Sequence, residues 1–265
     1  MSDLRGRLAV VTGASSGIGW HTALALARRG CRLAVTARRG HRLAELSRVI
    51  EGLGAVPPLA VTCDVTRVEQ VEELRRRVEE AMGPVDILVN NAGRGAHGAF
   101  VEVALEDLEA VVAANLLGVI YCTRAFLPAM LARRSGHLVF VSSVLGELPA
   151  PGHAVYGATK FAVTGLAHSL DGELAGQGVR VTLVEPGLVR TEFGAASGSP
   201  PGRYDQVPSR SPGEVGEEIA RAIARGQWRC VPDRLGAMAI AAGRHFPRTA
   251  RWVARRVARR LAGDG

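Results

Sequence analysis

A single lysine, Lys160, stands in the stretch VYGATKFA, which covers residues 155–162. All the other members of the chain's 33 basic residues are arginines. A chain that uses arginine so consistently would use it here as well if any cation served. Lysine is a compact point charge on a flexible stem, whereas arginine is a planar fork. The lone lysine therefore indicates a chemical task that needs a small ammonium group, with survival by chance as the alternative.

A glycine-rich turn, TGASSGIG at residues 12–19, follows the first apolar run and precedes a helix-like segment. Gly13, Gly17 and Gly19 have the spacing G-x-x-x-G-x-G. Glycines at such positions permit a tight turn, close approach of the backbone to a diphosphate, and close packing of helix on strand. The helix N-terminus offers free N–H groups and a positive dipole end to phosphate. The turn predicts a dinucleotide site, with a purely structural turn as the alternative.

Two arginines, Arg38 and Arg39, follow the second apolar run, where a protein selecting NAD usually places an acid. Guanidinium groups can hold a 2′-phosphate bidentately, whereas an acid would repel it. We therefore expect NADPH to be preferred over NADH. The alternative is that both residues are ordinary helix-flanking arginines of an arginine-rich chain.

Short β-branched runs alternate with longer amphipathic segments along the chain. This alternation predicts an α/β fold with a mainly parallel seven-stranded sheet and helices on both faces, a doubly wound arrangement. The predicted strands are 7–12, 32–37, 55–63, 85–90, 136–142, 179–185 and 228–231. The predicted helices are 17–29, 41–53, 67–82, 106–133, 157–176 and 213–226. The stretch 187–212 has no periodicity and predicts a long functional or disordered loop.

Composition favours one catalytic domain over residues 1–234 of a cytoplasmic protein, followed by a basic amphipathic extension over 235–265. The four cysteines are far apart in the sequence and form no metal-like cluster, which favours reduced thiols and no metal. The start of the chain is too polar for a signal peptide, and no apolar run reaches the length of a bilayer span. The net charge is +8, but the excess is concentrated in residues 244–265, so nucleic-acid binding by the body is not expected.

Seven motifs in order give the chain a close resemblance to the short-chain dehydrogenase/reductase family over residues 5–230. They are TGASSGIG (12–19), CDV (63–65), NNAG (90–93), AAN (113–115), VSS (141–143), YGATK (156–160) and PGLVRT (186–191). The resemblance implies a Rossmann fold and an oxidoreductase that transfers hydride between a nicotinamide cofactor and a carbonyl or alcohol. It also implies a homodimer or homotetramer assembled through the helices around 106–133 and 157–176.

The resemblance implies four catalytic residues. Tyr156 would be the general acid/base, and Lys160, one helical turn later, would lower the pKa of the phenol and bind the nicotinamide ribose. Ser143 would hydrogen-bond the substrate oxygen. Asn115 would disturb its helix locally and support a water that relays protons to the lysine.

The resemblance also implies which residues line the cofactor. Those of the first turn would hold the diphosphate, and the two arginines would hold the 2′-phosphate. Asp64 would meet the adenine, the residues of NNAG would pass close to the adenosine ribose, and those of PGLVRT would flank the nicotinamide. The set comprises Gly13, Ser15, Ser16, Gly17, Ile18, Gly19, Arg38, Arg39, Asp64, Val65, Asn91, Ala92, Gly93, Tyr156, Lys160, Pro186, Gly187, Val189 and Thr191.

Substrate identity is weakly encoded. The candidate pocket residues are mostly apolar, which favours a hydrophobic ketone, aldehyde or secondary alcohol; they are Leu145, Leu148, His153, Leu188, Phe193 and Tyr204.

In the tail, apolar residues at helical spacing alternate with arginines. That pattern is typical of a helix packed on protein, and the alternative is peripheral contact with an anionic membrane through residues 244–265.

Three functions therefore compete. The first is an NADP-dependent oxidoreductase with Tyr156 as general acid/base. The second is a catalytically idle nucleotide-binding sensor, and the third is a membrane-surface binder that acts through its basic C-terminal helix. The intact serine, tyrosine and lysine set favours the first, because a sensor has no need for proton-transfer groups.

Overall fold

A computed structural model describes residues 3–197 and 209–246, together with the isolated residues 248, 252 and 256. Its centre is a seven-stranded sheet of order β3-β2-β1-β4-β5-β6-β7, in which every paired strand is parallel. The strands are β1 (Leu8–Thr12), β2 (Arg32–Ala37), β3 (Leu59–Thr62), β4 (Ile87–Asn90), β5 (Gly136–Val141), β6 (Val179–Val184) and β7 (Arg229–Cys230). The predicted doubly wound α/β fold is confirmed.

Nine α-helices connect or follow the strands in the described part of the chain. They are α1 (Gly17–Ala27), α2 (Gly40–Gly52), α3 (Val68–Met82), α4 (Leu105–Val112), α5 (Gly118–Ala132), α6 (Ala154–Glu173), α7 (Glu192–Ala196), α8 (Pro212–Arg225) and α9 (Arg234–His245). A π-helical turn, Ala113–Leu117, joins α4 to α5, and a 3₁₀ turn, Val144–Gly146, follows β5.

The core has two halves because consecutive strand residues point to opposite faces of the sheet. In β1, Val11 belongs to the half covered by α1, α2 and α8, and Val10 belongs to the half covered by α3, α5 and α6. Both valines are fully buried. A sheet covered on both faces explains why its strands are apolar nearly throughout.

The carboxyl edge of the sheet holds the crevice where a ligand of this fold is expected. β1 is paired with β2 on one side and with β4 on the other, so the strand order reverses at the β1–β4 boundary. Loops leaving two such strands diverge and open a crevice between them. The glycine-rich turn follows β1, and the NNAG motif follows β4, so the topology brings these two motifs together.

Two differences from the expected elements have physical causes. The predicted strand 55–63 shortens to β3, because Pro57 and Pro58 have no N–H to donate to a sheet ladder. The predicted loop 187–212 contains the short helix α7, and residues 198–208 of that loop, including the candidate pocket residue Tyr204, lie outside the described residues.

The helical stretch Leu105–Ala132 is long and apolar enough, with a mean hydropathy of 1.7, to cross a bilayer by length and composition alone. This differs from the expectation that no stretch reaches that length. Nearly half of its most apolar window is buried inside the protein, where Phe126 and Met130 pack under the sheet. A core helix that covers a sheet passes the same test, so the finding is weak support for a membrane span.

The four cysteines, Cys31, Cys63, Cys122 and Cys230, are free thiols, and all are buried. They pack in the two halves of the core, so they act as small apolar side chains.

Candidate active site

The end of β1 is tied to the end of β4 through Thr12 and Asn91. The Thr12 hydroxyl donates to the carbonyl of Val89 (3.1 Å) and accepts from the backbone N–H groups of Asn91 (2.9 Å) and Ala92 (3.0 Å). In return, the Asn91 side-chain amide donates to the carbonyls of Thr12 (2.9 Å) and Gly13 (3.3 Å). The two sides of the crevice therefore have a fixed relative position.

This close approach explains the glycines of the turn. A Cβ on Gly13 would lie 2.8 Å from the Cα of Ala92, and a Cβ on Gly19 would overlap the side-chain amide of Asn91. Gly13 and Gly17 have positive φ angles of 65° and 56°, which side-chain-bearing residues rarely adopt. The turn exposes the N-terminus of α1 toward the crevice, where its free N–H groups suit an anion.

Two arginines are held against the glycine-rich turn. Arg39 donates from Nε and Nη2 to the Ser15 hydroxyl (3.2 and 3.1 Å) and from Nη2 to the Ser16 hydroxyl (2.7 Å). Arg42 donates from Nε to the carbonyl of Ser15 (3.3 Å) and lies over the Trp20 ring, 5.1 Å from its centroid. Arg38 is exposed at the end of β2.

Arg42 was not among the residues predicted from the sequence. Its position in the first turn of α2, four residues after Arg38, was the available signal. The three guanidinium groups give this edge of the crevice a positive charge that suits a phosphate.

The remaining predicted cofactor residues lie around the same crevice or brace it. Ile18 packs on the core half under α1, and Val65 packs against Gly118 at the start of α5. The Asp64 carboxylate, just beyond β3, accepts from the N–H and the hydroxyl of Thr66 (3.0 and 2.8 Å). A Cβ on Gly93 would lie 2.9 Å from Asn115 Oδ1, which makes glycine necessary there as well.

Lys160 is buried in α6 with its ammonium close to β5. Its Nζ donates to the carbonyl of Val141 (2.9 Å) and lies 5.7 Å from the centroid of the Tyr156 ring. Only 6% of the residue is exposed, and this desolvation lowers the pKa of the ammonium from 10.5 to about 8. The lone lysine of the chain therefore does lie beside the tyrosine that precedes it by one helical turn.

The pKa of Tyr156 differs from the expectation. Burial of the phenol raises its pKa to about 12, and a hydrogen bond with Ser143 opposes the rise. The ammonium of Lys160, which donates to the carbonyl of Val141, does not reverse this rise.

Ser143 lies at the end of β5, where its backbone is extended and its hydroxyl caps the 3₁₀ turn. The hydroxyl accepts from the N–H of Leu145 (3.1 Å) and is 3.4 Å from the carbonyl of Pro186, to which it donates. The second of these bonds is long and weak. The Ser143 proton can therefore be redirected to another acceptor at small cost.

Asn115 sits in the π-helical turn between α4 and α5 and is fully buried. Its side-chain oxygen accepts from the N–H of Arg94 (2.8 Å), and its nitrogen donates to the Arg94 carbonyl (2.9 Å) and the Thr159 hydroxyl (3.2 Å). Thr159 in turn donates to the carbonyl of Tyr156 (2.7 Å). Asn115 thus connects the segment after β4 to the helix that carries the tyrosine and lysine.

The aromatic ring of Phe193 and the imidazole of His153 flank the tyrosine. The ring centroids of Phe193 and His153 lie 5.7 and 6.2 Å from that of Tyr156. His153 is also paired with His97, with 3.2 Å between Nε2 and Nδ1. The candidate pocket residues Phe193 and His153 therefore lie beside Tyr156.

The other candidate pocket residues lie on the segments that follow β5 and β6. Leu145 is in the 3₁₀ turn, and Leu148 follows it and is bonded to its first carbonyl. The carbonyl of Leu188 accepts from the N–H of Arg210 (3.0 Å), so this leucine lies at the base of the long loop. These segments form one side of the crevice.

The segment after β6 crosses the glycine-rich turn. The carbonyl of Pro186 accepts from the N–H of Val144 (3.0 Å), and the N–H of Gly187 donates to Asp233 (3.1 Å). Val189 forms an isolated bridge with Arg210, and a Cβ on Gly17 would lie 3.2 Å from the methyl group of Thr191. No local pattern predicts the contact with Asp233, because this residue lies far from Gly187 in the chain.

The residues present fit a nicotinamide dinucleotide. The turn between β1 and α1 has glycines where a Cβ would crowd the crevice, its helix N-terminus and the neighbouring arginines are suited to phosphates, and a phenol, Tyr156, lies across the same crevice. Such an arrangement can bind a diphosphate and transfer a proton to or from an oxygen of a second molecule.

Comparisons with known proteins show the family of the chain. The family model for short chain dehydrogenases matches residues 7–201. The chain is 34% identical over 233 residues to the dehydrogenase/reductase SDR family protein 7-like of Drosophila melanogaster, which covers 84% of this chain and 72% of the relative.

Two solved structures are similar over most of the chain. A short chain dehydrogenase/reductase from Burkholderia phymatum, in complex with NAD, has a TM-score of 0.85 at 28% identity and covers 92% of this chain and 95% of its own. An alcohol dehydrogenase from Thermococcus sibiricus, complexed with 5-hydroxy-NADP, has a TM-score of 0.76 at 31% identity and covers 86% and 94%. One relative thus holds NAD and the other an NADP derivative.

Proposed function

Because the chain belongs to the short-chain dehydrogenase family and is an NAD(P)-dependent oxidoreductase, we propose that it reduces hydrophobic carbonyl compounds to secondary alcohols with NADPH. The observation that carries the proposal is the grouping of Ser143, Tyr156 and Lys160 beside an arginine-lined glycine turn.

The proton chemistry follows from the three side chains. Tyr156 donates its phenolic proton to the carbonyl oxygen as that oxygen gains negative charge, and Ser143 donates a hydrogen bond to the same oxygen. Lys160 stabilises the resulting tyrosinate with its positive charge. The cofactor, when bound, supplies the hydride. Asn115 positions α6 through Thr159 and is a positioning residue in this scheme.

The direction of reaction is proposed from the cofactor site. Arg38 and Arg39 stand at the end of β2, where they suit the 2′-phosphate of NADPH. Carbonyl reduction is therefore the proposed working direction.

The proposed preference for NADPH rests on Arg38, Arg39 and Arg42. Each charge-assisted contact with a 2′-phosphate contributes roughly 1.5–3 kcal/mol before desolvation losses. Arg39 and Arg42 are already held by the turn, so little side-chain freedom is lost when a phosphate binds.

We further propose a homodimer or homotetramer. Leu117, Ile120 and Phe161, on the helices around 106–133 and 157–176, each expose more than a third of their surface. These apolar side chains lie where the family resemblance places subunit contacts, and burying them in an interface would be favourable.

A second proposed role is contact with an anionic membrane through the extension 235–265, alongside catalysis. It is supported by α9, whose Leu235 and Met238 are 59% and 67% exposed, and by the exposed Phe246 and Trp252. Most of the predicted amphipathic tail lies outside the described residues.

The test is turnover of a panel of hydrophobic ketones and aldehydes with NADPH and with NADH, following the absorbance of the reduced nicotinamide. Tyr156→Phe removes the acid but little volume, so turnover should fall on the order of 10²-fold or more while NADPH affinity is retained. NADPH binding without turnover of any panel member would favour the idle sensor. Equal activity of Tyr156→Phe and the parent would refute the assigned acid.

A further inference from the structure

The charged groups that face the candidate 2′-phosphate site include an acid from a distant element. Glu192, the first residue of α7, places Oε2 3.0 Å from Nη1 of Arg39 and Oε1 3.9 Å from Nη2 of Arg42. Neither the family motifs nor the spacing of the sequence indicates this contact. It joins the segment after β6 to the start of α2, across the crevice.

Glu192 binds the part of the Arg39 guanidinium that the glycine-rich turn does not contact. Nε and Nη2 of Arg39 are bonded to the hydroxyls of Ser15 and Ser16, and Nη1 donates to Glu192. All three guanidinium nitrogens thus have an acceptor. A phosphate that binds Arg39 through Nη1 must displace the carboxylate, because two anions cannot share that donor without repulsion.

The ion pair is weak enough to be displaced. The side chains of Glu192 and Arg39 are 58% and 44% exposed, and exposed ion pairs contribute little to stability. A phosphate carries up to two negative charges and three acceptor oxygens, so it makes stronger contacts with the same arginines.

α7 also reaches the reactive tyrosine. Phe193, the next residue, has its ring centroid 5.7 Å from that of Tyr156. The far end of α7 is held by a bond from the N–H of His97 to the carbonyl of Ser197 (2.9 Å). A single short helix therefore connects the arginine cluster to the wall of the candidate substrate pocket.

We propose that Glu192 is a specificity-determining residue. Its carboxylate binds the guanidinium groups of Arg39 and Arg42 until the 2′-phosphate of NADP(H) displaces it, which releases α7 from these arginines. The inference rests on the proposed use of NADPH. With NADH, whose ribose has no phosphate, the carboxylate keeps its contacts and α7 stays attached to the arginines. Glu192 thus lowers the affinity for NADPH and couples the identity of the cofactor to the position of Phe193.

The first measurement is the affinity of the full chain for NADPH and for NADH, by fluorescence titration, for the parent, Glu192→Gln and Glu45→Gln. Glu45 is the matched control, because it pairs with Arg42 at 2.6 Å but lies on α2 and has no contact with α7. Glu192→Gln should tighten NADPH about three- to fivefold and leave NADH within about twofold, the range expected for releasing one exposed ion pair. Glu45→Gln can change the affinity for NADPH only through Arg42.

The second measurement is hydrogen exchange at the backbone amides of residues 193–197, with adenosine 2′,5′-bisphosphate or adenosine 5′-phosphate as the probe. The bisphosphate should increase exchange in the parent and in Glu45→Gln, whereas the 5′-phosphate should not. Glu192→Gln should exchange faster without any ligand, because its α7 is no longer attached to the arginines.

The outcomes separate the two proposals. A parent that binds NADPH and NADH equally well overturns both the cofactor preference and the role of Glu192. A parent that prefers NADPH, with the same preference and the same exchange in Glu192→Gln, overturns only the role of Glu192. Faster exchange in Glu45→Gln without ligand would also contradict it, since that variant leaves the contacts of Glu192 with Arg39 and Arg42 in place.

Discussion

The ammonium of Lys160 is buried between the end of β5 and the Tyr156 ring. Its Nζ is bonded to the carbonyl of Val141 and faces the Tyr156 ring. Lys160→Arg keeps the charge but replaces a compact donor with a larger planar fork. We expect turnover to fall by at least about tenfold, because a displaced cation no longer stabilises tyrosinate during proton transfer.

Turnover against pH measures this effect, with Arg221→Lys, a partly exposed swap on α8, as the control. Full activity and an unchanged pH profile in Lys160→Arg would mean that the lone lysine is an accident of composition.

Burial of Lys160 also has a cost in stability. Its pKa is about 8 in the folded protein, below the 10.5 of the free side chain, so the unfolded chain binds more protons between these values. The contribution of Lys160 to the free energy of unfolding is therefore lowest below pH 8 and rises as the pH increases toward 10.5.

Replacing the lysine with an apolar side chain should remove that pH dependence. Lys160→Met loses the bond to Val141, but it also removes a buried cation whose desolvation is worth on the order of 3 kcal/mol below pH 8. The free energy of unfolding of Lys160→Met relative to that of the parent should decrease from pH 8 to pH 10.5. Urea unfolding at pH 7 and pH 10 measures it, and an equal difference at both values would contradict the assigned pKa.

At the scale of residues, motifs and spacing predict which residues form the candidate catalytic set, but not which side chains surround them. The positions of Tyr156 and Lys160 follow from a one-turn spacing, which is local. The raised pKa of Tyr156, and the contacts of Glu192 with Arg39, depend on side chains that come together only through the fold. No local pattern encodes them.

At the scale of elements, β5 contains a buried titratable group that the proposed mechanism does not use. His137 donates from Nε2 to the Thr182 hydroxyl on β6 (2.7 Å), and Thr182 donates to the carbonyl of Gln227 (2.6 Å). Because Thr182 uses its proton in the bond to Gln227, Nε2 of His137 must carry the proton of their shared bond. The neutral imidazole is therefore the Nε2–H tautomer. Burial lowers the pKa of His137 to about 4.

Acid should therefore weaken this part of the sheet. The unfolded chain binds a proton at His137 below pH 6.5, whereas the folded protein binds it only near pH 4, so stability falls as the pH drops through this interval. His137→Gln, which does not titrate, should reduce the loss by about 3 kcal/mol between pH 6.5 and pH 4. Urea midpoints across this range provide the measurement, and parallel curves for the parent and the variant would contradict the prediction.

The elements themselves were largely predictable, because apolar periodicity determines which segments can cover the sheet. The π-helical turn at Asn115 is expected only as a local disturbance implied by family resemblance, and in the structure Asn115 bonds there to Arg94 and Thr159. α7 is not predicted, because a helix of five residues is too short to show periodicity. α9 is predicted only as part of the basic amphipathic extension 235–265.

At the scale of the whole molecule, the distribution of charge separates the body from the C-terminus. α9 exposes Leu235 and Met238 and has Arg244 in its last turn, where it is paired with Glu147 beside the 3₁₀ turn. The exposed apolar side chains and the basic tail together favour an interface with anionic lipid.

We expect the full chain to sediment with vesicles that contain phosphatidylserine and not with vesicles of neutral lipid. A variant ending at residue 246 should lose this binding and keep its turnover of carbonyls. Binding to neutral vesicles, or retention of binding by the shortened variant, would show that the tail is not responsible. High salt should weaken an interaction of this kind, because it screens exposed charges.

The burial of the cysteines makes the chain suitable for site-directed labelling. Burial raises the pKa of Cys63 to about 11 and those of Cys31, Cys122 and Cys230 to about 12, so almost none is a thiolate at pH 7. Maleimides and haloacetamides react with the thiolate, and they must also reach it. A cysteine introduced at Val101, which is 91% exposed, would be the only thiol to react rapidly, so a single fluorophore could be attached without removing any native cysteine.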